Sequence, residues 1–66
     1  MKTTVQVPNH TAEKFETLAF EFFLDLQPTR VETRNQNFHT TFEFNVMNED
    51  EEATIDQFHT DFLLEN

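Results

Sequence analysis

The side chains of this chain that could do chemistry are three histidines, His10, His39 and His59, and thirteen carboxylates. Histidine is the commonest metal ligand and the usual acid or base near neutral pH. No two of these histidines stand at a ligand spacing such as H-x-x-x-H, and a zinc site needs several converging ligands. The reading is therefore no metal, with His59 as a half-buried packing residue. The acidic run Asn48 to Glu52 (NEDEE) lacks the alternating oxygen ligands and the obligatory turn glycine of a calcium loop. It reads as the charged first turn of a helix. Paired carboxylates can run acid–base chemistry when one of them is desolvated in a cleft, but here they fall on polar faces. Ser and Cys do not occur, so the commonest nucleophiles are missing. The expectation is a protein that is not an enzyme and carries no cofactor.

The charge is unevenly distributed. Residues 1–34 hold five acids against Lys2, Lys14, Arg30 and Arg34, close to balance; residues 35–66 hold eight acids and no cation. The net charge of −9 thus splits as −1 and −8. A field of one sign repels nucleic acid and anionic membrane and attracts basic protein surfaces. Direct nucleic-acid binding, which needs a basic stripe, is not expected. No segment is apolar for long enough to span a bilayer, and the N-terminus MKTTVQVPNH has no apolar signal core. With no cysteine, the expected location is cytoplasmic (a host's cytoplasm, were the chain viral).

The elements that must position these groups follow from periodicity. The 66 residues are read as one domain, 1–66. So short a chain has a small margin of stability, and nine phenylalanines, each able to bury roughly 150 Å² or more, stand in for disulfides. Residues 3–7 (TTVQV) alternate as a strand stopped by Pro8. A helix capped by Asn9 or Thr11 is expected to run to about Gln27, before Pro28. Its core arc holds Ala12, Phe15, Leu18, Ala19, Phe22, Phe23 and Leu26. Phe20 and Leu24 fall outside that arc, one turn apart, among acids. Residues 30–34 form a short strand and Asn35–Asn37 a turn. Phe38, Thr40, Phe42, Phe44 and Val46 share one apolar face of a long strand. Asn48 caps a final helix to about Leu64, with Ile55, Phe58, His59, Phe62 and Leu63 facing inward.

The order β-α-β-β-α predicts an α+β fold of two layers. A three-stranded sheet of order 1-3-2 carries both helices on one face, as a right-handed crossover requires. This is a ferredoxin-like arrangement without its last strand, which would leave the first strand as an open edge.

Three functional expectations follow. The first is a non-catalytic inhibitor or modulator that binds a basic protein, such as a nucleic-acid-binding enzyme. Its fixed carboxylates would imitate a row of phosphates, as in the small acidic proteins that phages and mobile elements use against host or defence enzymes. The charge would come from Glu43, Asp50, Glu51, Asp56 and Asp61; Phe20 and Leu24, with exposed Leu64, would be apolar anchors or a dimer seam. The second is a structural or regulatory homodimer through strand 3–7 or the Phe20/Leu24 face. The third is an antitoxin-like neutraliser of a basic partner.

Overall fold

A computed structural model of the chain describes residues 1–31 and 38–66. The elements are β1 (Lys2–Pro8), a 3-10 turn (Asn9–Thr11), α1 (Ala12–Phe22), β2 (Thr29–Val31), β3 (His39–Asn45) and α2 (Glu49–Glu65). The sheet order is β1-β3-β2, with β3 antiparallel to both neighbours. The expected α+β fold, with its 1-3-2 sheet and two helices, is the one observed. The turn expected at Asn35–Asn37, and residues 32–34 of the second strand, lie outside the described residues.

Period-two alternation sets the faces. Val5 and Val7 of β1 are buried opposite Phe42 and Thr40 of β3, and Phe44 and Val46 continue the same face. The reverse face carries Lys2, Thr4, Gln6, Thr41, Glu43 and Asn45. Both helices cover the apolar face, as their rings show. Phe15 of α1 lies 5.2 Å from Phe42, 5.5 Å from Phe58 and 5.1 Å from Phe62. Phe23, just past α1, lies 5.9 Å from Phe44 and 5.1 Å from Phe58. Arg30 of β2 is in register with Phe42, sets its guanidinium 5.5 Å from that ring and reaches Glu16 of α1 at 3.4 Å.

The helix starts differ. The Asn48 side chain accepts from Glu51 N–H at 3.0 Å, and the Glu51 carboxylate accepts from Met47 N–H at 2.7 Å. This is the reciprocal logic of a capping box, with the carboxylate reaching one residue further back. At the α1 start, Thr11 provides no side-chain cap; its hydroxyl instead donates to the Pro8 carbonyl at 2.9 Å, closing the 3-10 turn.

Three local expectations are corrected. First, α1 ends at Phe22 and not near Gln27. Phe23 leaves helical geometry (φ −109°, ψ 86°), its N–H still bonded to Ala19 O, and its ring is buried against Phe44 and Phe58. Burying that ring between the sheet and α2 outweighs the remaining helical propensity, while Pro28 marks only the latest residue by which the helix had to stop. Leu24 therefore lies beyond the helix, without a one-turn relation to Phe20. Second, Phe38 is 77% exposed. It stands opposite Asn9, where β1 has already turned into the 3-10 turn, past the end of the sheet that the helices cover. Third, Leu18, Phe22 and Leu63 are exposed, not core.

The β1 edge is less open than its position suggests. Val46 N–H to Met1 O (2.8 Å) and Asn9 N–H to Phe38 O (2.9 Å) bracket the β1–β3 ladder. With unbroken register between them, Lys2, Thr4, Gln6 and Pro8 turn their backbone groups outward. His59 Nε2 lies 2.7 Å from Gln6 O; a carbonyl only accepts, so the imidazole N–H donates. Pro8 has no N–H to offer. Only Lys2 and Thr4 keep a complete outward backbone pair, and a lysine at an edge itself discourages strand addition.

Phe15→Ala removes the ring that joins both helices to the sheet and is expected to cost about 3–5 kcal/mol, near the whole margin of a domain this small. Phe38→Ala is expected to stay within about 0.5 kcal/mol of the parent. Urea denaturation followed by circular dichroism separates the two. Asn48→Ala, which removes the α2 cap, is expected to cost about 1 kcal/mol and to lower Tm by about 4–8 °C.

Candidate protein-binding surface

At 100° per residue the apolar residues of α1 other than Phe20 cover an arc of about 120°. The sheet takes one side of it: Ala12, Phe15 and Ala19 are buried, and the two alanines let the helix sit close. Leu18 and Phe22 form the other side of the arc, one turn apart, and point to the seam with α2. There the helices are bridged by rings, with little close backbone approach. Phe22 stacks on Phe58 at 5.3 Å with 27° between ring planes, and it meets Phe23 edge-on at 4.9 Å. Phe22 nevertheless remains 64% exposed.

The seam is a shallow groove. At one end Phe22 and Phe58 form its floor, with Thr54, Gln57 and Asp61 alongside, around a hollow of about 280 Å³. It continues past Leu18 and Glu21 to Phe62, Glu65 and Asn66. Lys14 crosses the far end, donating to Asn66 Oδ1 at 2.6 Å. From Thr54 to Asn66 the groove follows α2 for about 18 Å at 1.5 Å per residue. Carboxylates frame it: Glu21 on the α1 side, Asp61 and Glu65 on the α2 side. Asp61 is steadied by a 2.9 Å bond from Gln57 Nε2. Another hollow, of about 500 Å³, is lined by His10, Glu13, Lys14, Thr17, Leu18 and Glu21. All six come from α1 and its lead-in, so it is one open side of a helix and not an enclosure.

The residues expected to carry partner binding are placed as follows. Glu43 stands on the sheet face away from the helices, 3.4 Å from Lys2 Nζ. Glu51 is engaged in the α2 cap. Asp50 and Asp61 lie on the flank of α2 that looks toward α1. Asp56 lies on the opposite flank, about 140° away from Asp61 around the helix. The structure thus brings Asp50 and Asp61 to one side and separates them from Glu43 and Asp56. Phe20 is exposed on α1 and Leu24 is 78% exposed beyond its end. Of the residues that periodicity misassigned, Leu18 and Phe22 bear on this surface. Their signal was an apolar arc wider than a three-stranded sheet can cover.

One cation, Lys14, stands at the far end of the groove, bonded to Asn66 beside Asp61 and Glu65. Among the described residues Lys2 and Arg30 are held by Glu43 and Glu16. No group of three or more His, Cys, Asp or Glu side chains among the described residues is placed to hold a metal ion. No described helix is long and apolar enough to cross a membrane. No protein-family model matches the chain, and neither the curated proteins nor the solved structures hold a match to it.

An uncovered aromatic floor should take up a neutral apolar dye. Nile red fluorescence is expected to rise with the native chain and to fall at least severalfold with Phe22→Ser. An equal signal from both proteins, each folded by circular dichroism, would show the floor to be closed.

Proposed function

We propose that this chain is a non-catalytic protein-binding module that takes a basic partner on the α1/α2 face. The observation that carries the reading is the strip Leu18, Phe22 and Phe58, half-open to solvent and framed by Glu21, Asp61 and Glu65. An apolar centre ringed by charged residues is the anatomy of an interface. The net charge of −9 favours a cationic partner, since carboxylate rims speed encounter with a basic surface and penalise an anionic one. The module would act by occupying the partner's basic face, as an inhibitor, a modulator or an antitoxin-like neutraliser does. Imitation of a phosphate row is the less supported form of this reading, because Glu43 and Asp56 point away from the Asp50/Asp61 flank.

Self-association through this face is disfavoured on the same grounds. A two-fold contact lays one patch on its own copy, and a net charge of −9 on each copy opposes that approach at low salt. Strand addition at β1 meets the His59–Gln6 contact and Pro8. A monomer is therefore expected by light scattering at low salt.

The test is retention of cellular proteins on the immobilised chain at about 50 mM and about 500 mM salt, since the Debye length falls severalfold between them. Basic proteins are expected to be held at low salt and released at high salt. Glu21→Lys with Asp61→Lys is expected to lose them at both. Retention indifferent to salt and to both substitutions would defeat the proposal.

A further inference from the structure

Charge gives the sign of the proposed partner; its conformation is a separate question. We infer that the element seated in the α1/α2 groove is an amphipathic, basic α-helix of the partner, with apolar residues along one stripe and Lys or Arg on both flanks. This rests on the basic-partner reading and adds to it the secondary structure that the groove can accept.

The argument comes from backbone groups. The walls of the groove are two helices whose own N–H and C=O groups are bonded internally along their length. A strand laid between them would find no backbone partners, and its own groups would be desolvated unpaired. A helix brings its backbone already satisfied and presents only side chains. Of the two sheet edges where an extended segment could find backbone partners, the β1 edge is narrowed by His59 on Gln6 O and by Pro8, and the β2 edge spans three described residues, Thr29–Val31. Extended and helical partners are thus discriminated by two different parts of the fold.

Dimensions and charge agree. A groove of about 18 Å holds roughly three turns of helix, room for apolar anchors at i, i+4 and i+7. Leu18 and Phe22 from α1 and Phe58 from α2 offer an apolar strip on which such anchors can pack. Glu21 lies on one wall and Asp61 on the other, away from Lys14 at the far end, so cations are wanted on both flanks of the guest helix there. A one-sided distribution would leave one wall's carboxylates unmatched.

The experiment uses the full chain and three synthetic peptides of about 18 residues, enough for several helical turns. The first places leucines on one helical stripe with lysines on both flanks. The second has the same composition in an order that breaks the stripe. The third keeps the stripe and replaces lysine with glutamate. Binding is read by fluorescence anisotropy, peptide helicity by circular dichroism, and the site by amide chemical shifts. The first peptide is expected to bind at least about tenfold tighter than the second, to gain helicity on binding, and to move the amides of Leu18, Glu21, Phe22, Phe58 and Asp61. The third is expected not to bind. Asp61→Lys, at an exposed position that does not threaten the fold, is expected to weaken the first peptide about tenfold. Equal, salt-sensitive binding of the first two peptides would overturn the helix and leave the basic-partner reading standing. Failure of both cationic peptides to bind would overturn both, as would a free chain that is a dimer with Phe22 covered.

Discussion

The fold depends on one ring. Phe15 is fully buried and packs on Phe42 in the sheet and on Phe58 and Phe62 in α2, with the His59 ring nearly perpendicular to it at 6.2 Å. It is the point through which a three-stranded sheet and two helices become one core. A chain of 66 residues without disulfides has few other ways to connect its layers, and the remaining buried aromatics, Phe23, Phe42, Phe44 and Phe62, are arranged around this contact. Bulky rings also have a cost in geometry. Phe22 and Phe58 stack across the seam between α1 and α2 and leave it partly open to solvent.

The polar periphery reinforces the same arrangement. Arg30 spans from the Phe42 ring to Glu16 and ties β2 to α1. His59 ties α2 to the outward carbonyl of β1. Lys14 ties α1 to the end of α2 through Asn66. These contacts are exposed or half-exposed, so each adds little stability. Their effect is positional: each joins elements that the hydrophobic core alone would allow to slide. The carboxylates of the helix faces then stand in defined places around an apolar seam, and it is this fixed juxtaposition on which a preference for one kind of partner would rest.

Much of the fold was legible in the residues themselves. Alternation of Phe42, Phe44 and Val46 with Glu43 and Asn45 specified β3 and its inner face, because the side-chain period of a strand admits no other reading of that pattern. Asn48 followed by four acids announced the start of α2, since a helix N-terminus attracts such residues on electrostatic and hydrogen-bonding grounds. The failures lie where two apolar options competed. Phe22 and Phe23 are neighbours in the chain and equal in hydrophobicity, and helical phase placed both within the core arc. Only the shape of the sheet and of α2 decides that Phe23 unwinds into the interior while Phe22 stays on the seam. Phe38 fits the alternation perfectly and is exposed, because periodicity cannot see where the covering layer ends.

The candidate site divides along the same line. The sign and excess of charge, and hence the kind of partner proposed, are properties of composition and need no coordinates. So are the alternating strand, the cap of α2 and the order of the elements, because these rest on interactions between residues near each other in the chain. Which acids share a face, which apolar residues are left uncovered and whether the β1 edge is free were decided only by packing. Glu43 and Asp61 are both acids of the same half of the chain, yet the sheet stands between them. Leu18 and Phe22 become a surface only because α2 meets α1 through rings. Such facts involve residues about forty positions apart in sequence, such as Leu18 and Phe58, and no local pattern encodes the distance between them.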